Sequence, residues 1–127
     1  MGESSNIRVG IDLVRISAIA ESLASFGDRF LHRVFTEAEV TYCMSAPMLV
    51  SSRLAVRFAA KEATRKALRL DGVGWRDIEV VRQPDGACDI ELHGATMAKC
   101  GAGRLALSMS HEGDHATAVV IADRNRQ

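Results

Sequence analysis

One predicted helix constrains this chain more than any other feature. Residues 51–70 are rich in alanine, leucine, arginine and lysine, which favours a single long helix. At 100° per residue, its small and apolar residues share one side: Val56, Ala59, Ala60, Ala63, Ala67 and Leu70. Basic residues at i,i+4 spacing share roughly the opposite side: Arg57, Lys61, Arg65 and Arg69. The sequence therefore concentrates positive charge on one helix, although the net charge of the chain is zero.

Shorter segments on both sides of this helix predict a sheet and further helices. Residues 7–13 alternate between apolar and polar, which is typical of a half-buried strand with Asp12 on the face away from its apolar side. Before the long helix, the sequence predicts a helix capped by Ser17 and broken by Gly27, and a short helix after the Thr36–Glu39 capping box. After it, strands are predicted over 75–82 and 88–93 around a turn at 84–86, followed by a short helix over 94–100. Two further strands are predicted over 105–110 and 115–122 around a polar turn at 111–114. Gly72 and Gly74 are expected to end the long helix. The order predicts an α+β fold, with an antiparallel sheet packed against one long helix and several short helices.

Composition predicts one globular domain over residues 1–127, with flexible ends at 1–6 and 124–127. Apolar residues make up 47% of the chain, which excludes a disordered class. No apolar run approaches the roughly 20 residues of a membrane-spanning helix, and residues 1–6 lack the order of a secretory signal. The three cysteines form no CxxC motif, so reduced thiols in the cytoplasm are expected.

Glu62 and Lys66 lie one helical turn apart, and their spacing allows two interpretations. They could form an ordinary surface ion pair, just as the basic row could be a solvated face. Alternatively, Glu62 could face the sheet and share a divalent cation with Asp12, while the basic row binds an anionic partner. Two carboxylates together with substrate phosphates are a usual way to hold Mg²⁺, which prefers hard oxygen ligands.

Four motifs bring a known family into view. The run RFAAKEATRKAL at 57–68 closely resembles the signature of bacterial holo-[acyl-carrier-protein] synthases, which are phosphopantetheinyl transferases. VGID at 9–12, FTEAE at 35–39 with Tyr42 and Cys43, and LSMSH at 107–111 resemble three further stretches of that family, in the same order. The resemblance covers about residues 7–123 and implies the 4′-phosphopantetheinyl transferase fold.

The resemblance also implies a reaction and the residues for it. Phosphopantetheine would pass from coenzyme A to a serine of an acyl carrier protein, as in fatty acid biosynthesis, with release of adenosine 3′,5′-bisphosphate. Asp12 and Glu62 would bind Mg²⁺, and Lys66 would contact the phosphate under attack, so these three are the expected catalytic residues. The resemblance leaves the general base open between Glu62 and a metal-bound water. The expected coenzyme A contacts are Arg57, Lys61, Lys66, Ser110 and His111.

Assembly and carrier docking follow from the same resemblance. The family is usually a homotrimer with sites at subunit interfaces, and basic residues near the first helix bind the acidic carrier helix. Arg15, Arg29 and Arg33 are the expected docking residues here. Departures from the family pattern stand at Ala18, where arginine is common, Arg69, where glycine is frequent, and Ala87, where proline is common.

Two rival interpretations arise from the residues. A non-enzymatic module could bind nucleic acid or another polyanion through the basic helix. That function would need neither Glu62 nor Asp12, and the chain lacks the aromatic residues interleaved with basic ones that single-strand binders use. Residues 111–115 also spell HEGDH, the zinc-protease pattern, which functions only on a helix. Gly113 and the flanking strand patterns argue against that helix. The sequence thus favours the transferase, with no nucleic acid or membrane as partner.

Overall fold

The computed structural model describes residues 6–100 and 103–124. In chain order its elements are β1 (Ile7–Arg15), α1 (Ile16–Phe26), α2 (Asp28–Val34), α3 (Glu37–Met44), α4 (Val50–Leu68), β2 (Ile78–Arg82), β3 (Cys88–Leu92), α5 (Gly94–Cys100), β4 (Arg104–Glu112) and β5 (His115–Asp123). Strands β1, β5 and β4 form an antiparallel sheet in that order, and β2 pairs with β3 in an antiparallel hairpin. The predicted α+β class with antiparallel pairing is confirmed.

Helix α4 packs on the sheet through its alanine side, and Gly10 sets how closely it packs. Ala63 and Ala67 are buried against the sheet. A Cβ atom added to Gly10 would lie 1.9 Å from the Ala63 carbonyl oxygen and 2.8 Å from the Ala67 nitrogen. Only a residue without a side chain lets the backbone of β1 lie this close to the helix. Because side chains alternate along a strand, Asp12 shares the face of Gly10 and is directed to the same helix.

The apolar side of β1 is exposed, so its expected burial was wrong. Four residues on this side are between 54% and 66% exposed: Ile7, Val9, Ile11 and Leu13. Their cross-strand partners on β5 include Val119 and Ile121, which extend the apolar surface. The side that carries Gly10 takes the helix instead, because only that side permits the close approach. We call these six residues the open sheet face.

Of the two predicted helix caps, the one at the start of α3 is confirmed and the one at the start of α1 is wrong. The predicted box is present, since Thr36 Oγ1 accepts from the Glu39 N–H and Glu39 Oε1 accepts from the Thr36 N–H. Ser17 does not cap α1, because it lies within the first turn. Its N–H and hydroxyl instead donate to the Asp114 carboxylate at 2.8 and 2.6 Å. The turn between β4 and β5 therefore holds the start of α1.

Several element ends differ from expectation. Helix α4 ends at the left-handed residue Arg69, before Gly72 and Gly74. Residues 75–77 form a 3₁₀ turn, so β2 begins only at Ile78. Strand β4 extends to Glu112, which confines the turn before β5 to residues 113–114. These shifts are small, and the predicted elements keep their order. The structure adds one α-helix that was not predicted, α2, between the first helix and the helix after the capping box.

The predicted flexible ends lie mostly beyond the described residues, since 1–5 and 125–127 fall outside them. Next to those ends, the Arg124 N–H donates to the Asn6 carbonyl at 3.1 Å. Two groups of buried residues form the core, one under the sheet and one around α1–α3, and Val14 and Met109 pack against both. Within 6–100 and 103–124, no helix has the length and hydrophobicity needed to cross a bilayer.

Candidate active site

Lys61 lies on the basic row of α4 but is fully buried. Its ammonium donates to Glu39 Oε1 at 2.8 Å, to the Trp75 carbonyl at 3.2 Å and to the Ile78 carbonyl at 2.5 Å. A lysine ammonium has three N–H donors, so all of them are used inside the protein. Burial lowers the pKa of Lys61 below its ordinary value, and the Glu39 charge opposes that shift. The solvated-face interpretation is therefore wrong for this residue.

Glu39 makes this buried lysine possible by joining three elements. Its side chain is fully buried, and it accepts from Lys61 on α4 and from the Thr36 N–H at the start of α3. Its second oxygen accepts from the Val80 N–H on β2 at 2.8 Å. A buried charge pair of this kind is tolerated only when additional hydrogen bonds satisfy both groups. We call Glu39 and Lys61 the buried pair.

Lys66, five residues further along α4, lies in a different environment. Its side chain is 55% exposed, and Nζ donates to the Ile11 carbonyl at 3.0 Å and to Asp12 Oδ1 at 3.2 Å. These bonds link α4 to β1 and leave one N–H donor for another acceptor. The possible surface pair between Glu62 and Lys66 is not formed. Glu62 Oε1 lies 3.9 Å from Arg65 Nη1 instead.

An open cleft of about 530 Å³ lies along the end of α4. We call it the α4 cleft, and its lining residues are Glu62, Arg65, Lys66, Arg69, Leu70, Asp71 and Trp75. The Arg65 guanidinium stacks over the Trp75 ring, 4.7 Å from its centroid. Lys66 connects this cleft to Asp12 at its sheet side. The structure thus joins Lys66 to Asp12 across one helix–strand contact, and Glu62 lines the same cleft as Lys66, one helical turn away.

The carboxylates at this contact suit a hard divalent cation. Asp12 is 16% exposed and Glu62 is 30% exposed, so neither carboxylate is buried away from a ligand or water. Both offer oxygen donors, and Mg²⁺ typically takes one or two carboxylates and completes its shell with water and phosphate. The donor set therefore fits the expected metal.

A second group of potential metal ligands lies on the β2–β3 hairpin. Oxygen or nitrogen atoms of Glu79, Glu91 and His93 lie within 4.8 Å of one another. His93 Nε2 is 2.9 Å from Glu79 Oε1, and the Thr36 hydroxyl donates to Glu79 Oε2 at 2.6 Å. Burial alone would raise the pKa of Glu79, but these two hydrogen bonds, together with the nearby charges of His93 and Lys61, lower that pKa below its ordinary value. The imidazole makes this group less suited to Mg²⁺ than the two carboxylates beside the α4 cleft.

Arg57 lies away from the α4 cleft, in a cavity of about 300 Å³ against α3 and β2. It is 4% exposed, and its Nη1 donates to the Arg53 carbonyl at 3.2 Å. Three guanidinium groups surround the Tyr42 ring, with Arg53, Arg57 and Arg82 at 4.3, 4.7 and 5.2 Å from its centroid. Sequence reasoning missed this cluster, although the i,i+4 spacing of Arg53 and Arg57 was a usable signal.

Ser110 and His111 line a third cavity, of about 430 Å³, where β4 meets β5. Thr117 and Leu13 line the same cavity, and the Thr117 hydroxyl donates to the Asp12 carbonyl at 2.8 Å. His111 and His115 stand on opposite strands of a hairpin, which confirms that the HEGDH run is not the helical zinc motif. The expected coenzyme A contacts are therefore distributed over three cavities of one chain, and Lys61 lies in none of them.

The expected carrier-docking residues are only partly brought together. Arg29 and Arg33 are exposed on α2 and line a cavity of about 300 Å³ with Phe26 and Phe30. Arg15 is exposed at the end of β1 and is not part of that cavity. Phe26 is 59% exposed, and sequence reasoning did not single it out. Two arginines beside an exposed aromatic ring form a surface suited to an acidic, amphipathic partner.

Known proteins share this chain's sequence and fold. Residues 8–120 match the ACPS family model, described as the 4′-phosphopantetheinyl transferase superfamily. A holo-[acyl-carrier-protein] synthase of Koribacter versatilis is 47% identical over 120 residues, which cover 90% of this chain and 95% of that protein. The synthase of Gloeobacter violaceus is 44% identical over 124 residues, or 94% of each chain.

Solved structures agree with these relatives. The ACPS–CoA complex of Chronobacterium ammoniagenes matches with a TM-score of 0.85 at 34% identity, over 98% of this chain and 100% of that one. The Helicobacter pylori holo-[acyl-carrier-protein] synthase in complex with coenzyme A matches with a TM-score of 0.80 at 32% identity, over 90% and 98% of the two chains. The sequence motifs, the fold and these similarities lead to one assignment: the chain belongs to the 4′-phosphopantetheinyl transferase superfamily.

Proposed function

We propose that this protein is a holo-[acyl-carrier-protein] synthase. It transfers 4′-phosphopantetheine from coenzyme A to a serine of an apo acyl carrier protein. The serine hydroxyl attacks the β-phosphorus, the P–O bond to adenosine 3′,5′-bisphosphate breaks, and the serine proton is released. The observation that carries the proposal is the contact between Lys66 and Asp12 beside Glu62. It provides a cation and two carboxylates at one end of a cleft that can accept a pyrophosphate.

Each residue at this contact has a role that follows from its environment. Lys66 retains one N–H donor, which can bind a phosphate oxygen and oppose the charge that develops on the transferring group. Asp12 holds Lys66 in place and, with Glu62, would bind Mg²⁺. Bound Mg²⁺ would supply further neutralisation of the pyrophosphate charge. Lys61 is left out of the phosphate contacts because its three donors are already used.

Site residues that are separated within one chain support a shared site in a homotrimer. Arg57, Ser110 and the α4 cleft belong to three separate cavities. The open sheet face lies beside the β4–β5 cavity, since Leu13 belongs to both. Exposed apolar residues that cover a contiguous strand face are typical of protein interfaces. Burial of that face against a second subunit would bring cavities of two chains together around one coenzyme A.

Carrier docking is proposed at the surface near α1 and α2. Arg29 and Arg33 lie beside exposed Phe26, and Arg15 lies at the end of β1, just before α1. An acidic helix with apolar residues would pair with the arginines and cover the ring. The same proposal includes the cytoplasm, fatty acid biosynthesis as the pathway, and a single domain over 1–127. The free thiols of Cys43 and Cys88 suit a reducing compartment.

Nucleic-acid binding through the basic row is disfavoured. Two of its four cations, Arg57 and Lys61, are buried at 4% and 0% exposure. A polyanion needs a continuous exposed row of charges, because its affinity comes from displaced counterions along that row.

Mass spectrometry of an apo carrier protein tests the activity directly. Incubation with enzyme, coenzyme A and Mg²⁺ should add one phosphopantetheine mass to the carrier and release adenosine 3′,5′-bisphosphate. A carrier whose acceptor serine is replaced by alanine is the matched control. Omission of Mg²⁺ should abolish the mass shift. Several bacterial carriers that all remain in the apo form with Mg²⁺ present would disprove the proposed activity.

Light scattering tests the proposed trimer. Val9→Lys places a charge on the open sheet face, where Val9 is 64% exposed, and should give monomers with little activity. Met48→Lys is the matched control, since Met48 is 94% exposed and lies before α4, away from that face. A fully active monomer of the unmodified chain would contradict the shared site.

A further inference from the structure

Arg69 ends α4 in a conformation that arginine rarely adopts. Its φ and ψ are 53° and 48°, and it is the one non-glycine residue with positive φ within 6–100 and 103–124. The Leu70 N–H donates to the Arg65 carbonyl at 3.0 Å, and the Arg69 N–H donates to the Lys66 carbonyl at 3.3 Å. This pattern is a Schellman motif, whose left-handed position is usually glycine because a Cβ is crowded there. The backbone at this position therefore favours glycine over arginine.

Within the described part of the fold, the side chain of Arg69 makes no contact that would offset this backbone strain. It is exposed, and among the described residues no hydrogen bond or ion pair fixes its guanidinium group. It lines the α4 cleft next to Lys66 and Glu62. A non-glycine residue held in a left-handed conformation at the rim of a site suggests that its side chain serves the site.

The charges of the α4 cleft indicate the class of ligand. Its lining has three cations, Arg65, Lys66 and Arg69, and two carboxylates, Glu62 and Asp71. Without Arg69 these formal charges cancel, whereas with it the lining has a net charge of +1. Arg65 stacks on the Trp75 ring and lies near Glu62, which leaves Arg69 as the cation with no other assignment. A guanidinium group binds phosphate oxygens through a planar pair of N–H donors.

We propose that Arg69 is an affinity-determining residue for the donor substrate, and that its guanidinium group binds the pyrophosphate of coenzyme A. The inference rests on the proposed function and adds a residue to it. Arg69 lies three residues after Lys66, the proposed contact of the phosphate under attack, so both cations reach the same part of the ligand. The chain tolerates a strained helix end because the cation there strengthens donor binding.

Binding and melting measurements on Arg69 variants test this proposal. Arg69→Gly should raise the melting temperature by about 4 °C, because the left-handed strain is removed. The same variant should bind coenzyme A about tenfold more weakly in calorimetry, as expected for the loss of a charge-assisted phosphate contact. Arg69→Asn should behave similarly, since asparagine tolerates this conformation and is neutral. Arg69→Lys should lose less affinity, because it retains the charge but not the planar pair of donors.

Dephospho-coenzyme A separates the pyrophosphate from the 3′-phosphate. It lacks only the 3′-phosphate, so Arg69→Gly should weaken its binding by the same factor as for coenzyme A. A loss confined to coenzyme A would overturn the assignment to the pyrophosphate. Equal affinities of Arg69→Gly and the unmodified protein would overturn the role of Arg69 and leave the proposed function intact. Failure of the unmodified protein to bind either compound would instead overturn the proposed function, and this inference with it.

Discussion

Lys61 and Lys66 are five residues apart on one helix, yet their surroundings have almost nothing in common. Lys61 lies under α3 and the β2–β3 hairpin at 0% exposure, with three protein acceptors for its three donors. Lys66 lies beside β1 with its side chain 55% exposed and only two acceptors. The first holds elements together, whereas the second is available to a substrate. A row of basic residues on a helix therefore indicates little about function until it is known which of their N–H donors already bind acceptors within the protein.

The same comparison explains why α4 combines structural and chemical tasks. Its middle is held by the buried pair, which fixes the rotation of α4 relative to α3 and β2. That rotation places Lys66 at the side of β1, where Gly10 allows close approach. Structural residues thus set the geometry that the cleft residues use.

The largest effect is expected when the buried pair is broken on one side. Glu39→Ala leaves the Lys61 ammonium buried without its counter-charge, which should cost about 3–5 kcal/mol in the free energy of unfolding. Chemical denaturation measures it, with Glu37→Ala, an exposed residue in the same helical turn, as the control. Adding Lys61→Met to Glu39→Ala should recover much of the loss. A single variant as stable as the control would contradict the structural role of the pair.

The carboxylates beside the α4 cleft should affect the rate rather than stability. Asp12→Asn and Glu62→Gln should each lower turnover by about 10²–10³-fold, because a charge that stabilises the transition state is lost. The double variant should lose much less than the product of the two effects, since both side chains would serve one ion. Steady-state assays over a Mg²⁺ titration measure this and should show partial rescue of each single variant. Near-normal turnover at low Mg²⁺ would mean that the metal lies elsewhere.

Gly10→Ala tests the close contact between β1 and α4. The added Cβ would collide with the backbone of α4 at Ala63, so β1 and α4 must separate. We expect a loss of about 1–3 kcal/mol in the free energy of unfolding, as for other overpacked sites, and weaker coenzyme A binding. Gly74→Ala is the control, because Gly74 has a negative φ and an added Cβ there would meet only ordinary van der Waals contacts. Unchanged stability of Gly10→Ala would show that the helix–strand distance is not set here.

The smallest effect is expected at Arg65, which lies on α4 between the buried Lys61 and the exposed Lys66. Arg65→Gln removes the stacking on Trp75 and the distant Glu62 contact. Since the side chain is 26% exposed, the loss in unfolding free energy should be about 0.5–1 kcal/mol. Thermal denaturation can detect it, with Arg76→Gln as an exposed control. A loss in unfolding free energy comparable to that of Glu39→Ala would show that Arg65 is as important to the stability of the fold as the buried pair.

Sequence patterns correctly predicted the long helix and the antiparallel sheet. They also proposed Asp12, Glu62 and Lys66 as the catalytic residues, and the structure places Lys66 against Asp12. The fold was predictable because helix periodicity and the four family motifs are local signals. Sequence patterns failed to predict which face of β1 is buried, because the alternation shows that a strand has two different faces but not which of them a helix covers. Gly10 contained that information, but its meaning depends on a contact with Ala63, far away in the chain.

Burial of Arg57 and Lys61 was equally invisible in the sequence. A charged residue on a polar side of a helix is normally solvated, and only tertiary contacts with Glu39 and Tyr42 reverse that expectation. The Arg69 conformation was also missed, because glycines at 72 and 74 offered a more familiar helix end. In each case a contact between distant parts of the chain overrode a local pattern.

The most direct test compares Lys61→Met with Lys66→Met in one pair of assays, unfolding free energy and phosphopantetheine transfer. Lys66→Met should retain stability within about 1 kcal/mol, as expected for a surface pair, and lose most of its transfer activity. Lys61→Met should be strongly destabilised, and the fraction that remains folded at low temperature should bind coenzyme A normally. The account would be contradicted by a Lys61→Met protein that is as stable as the unmodified chain but cannot bind coenzyme A.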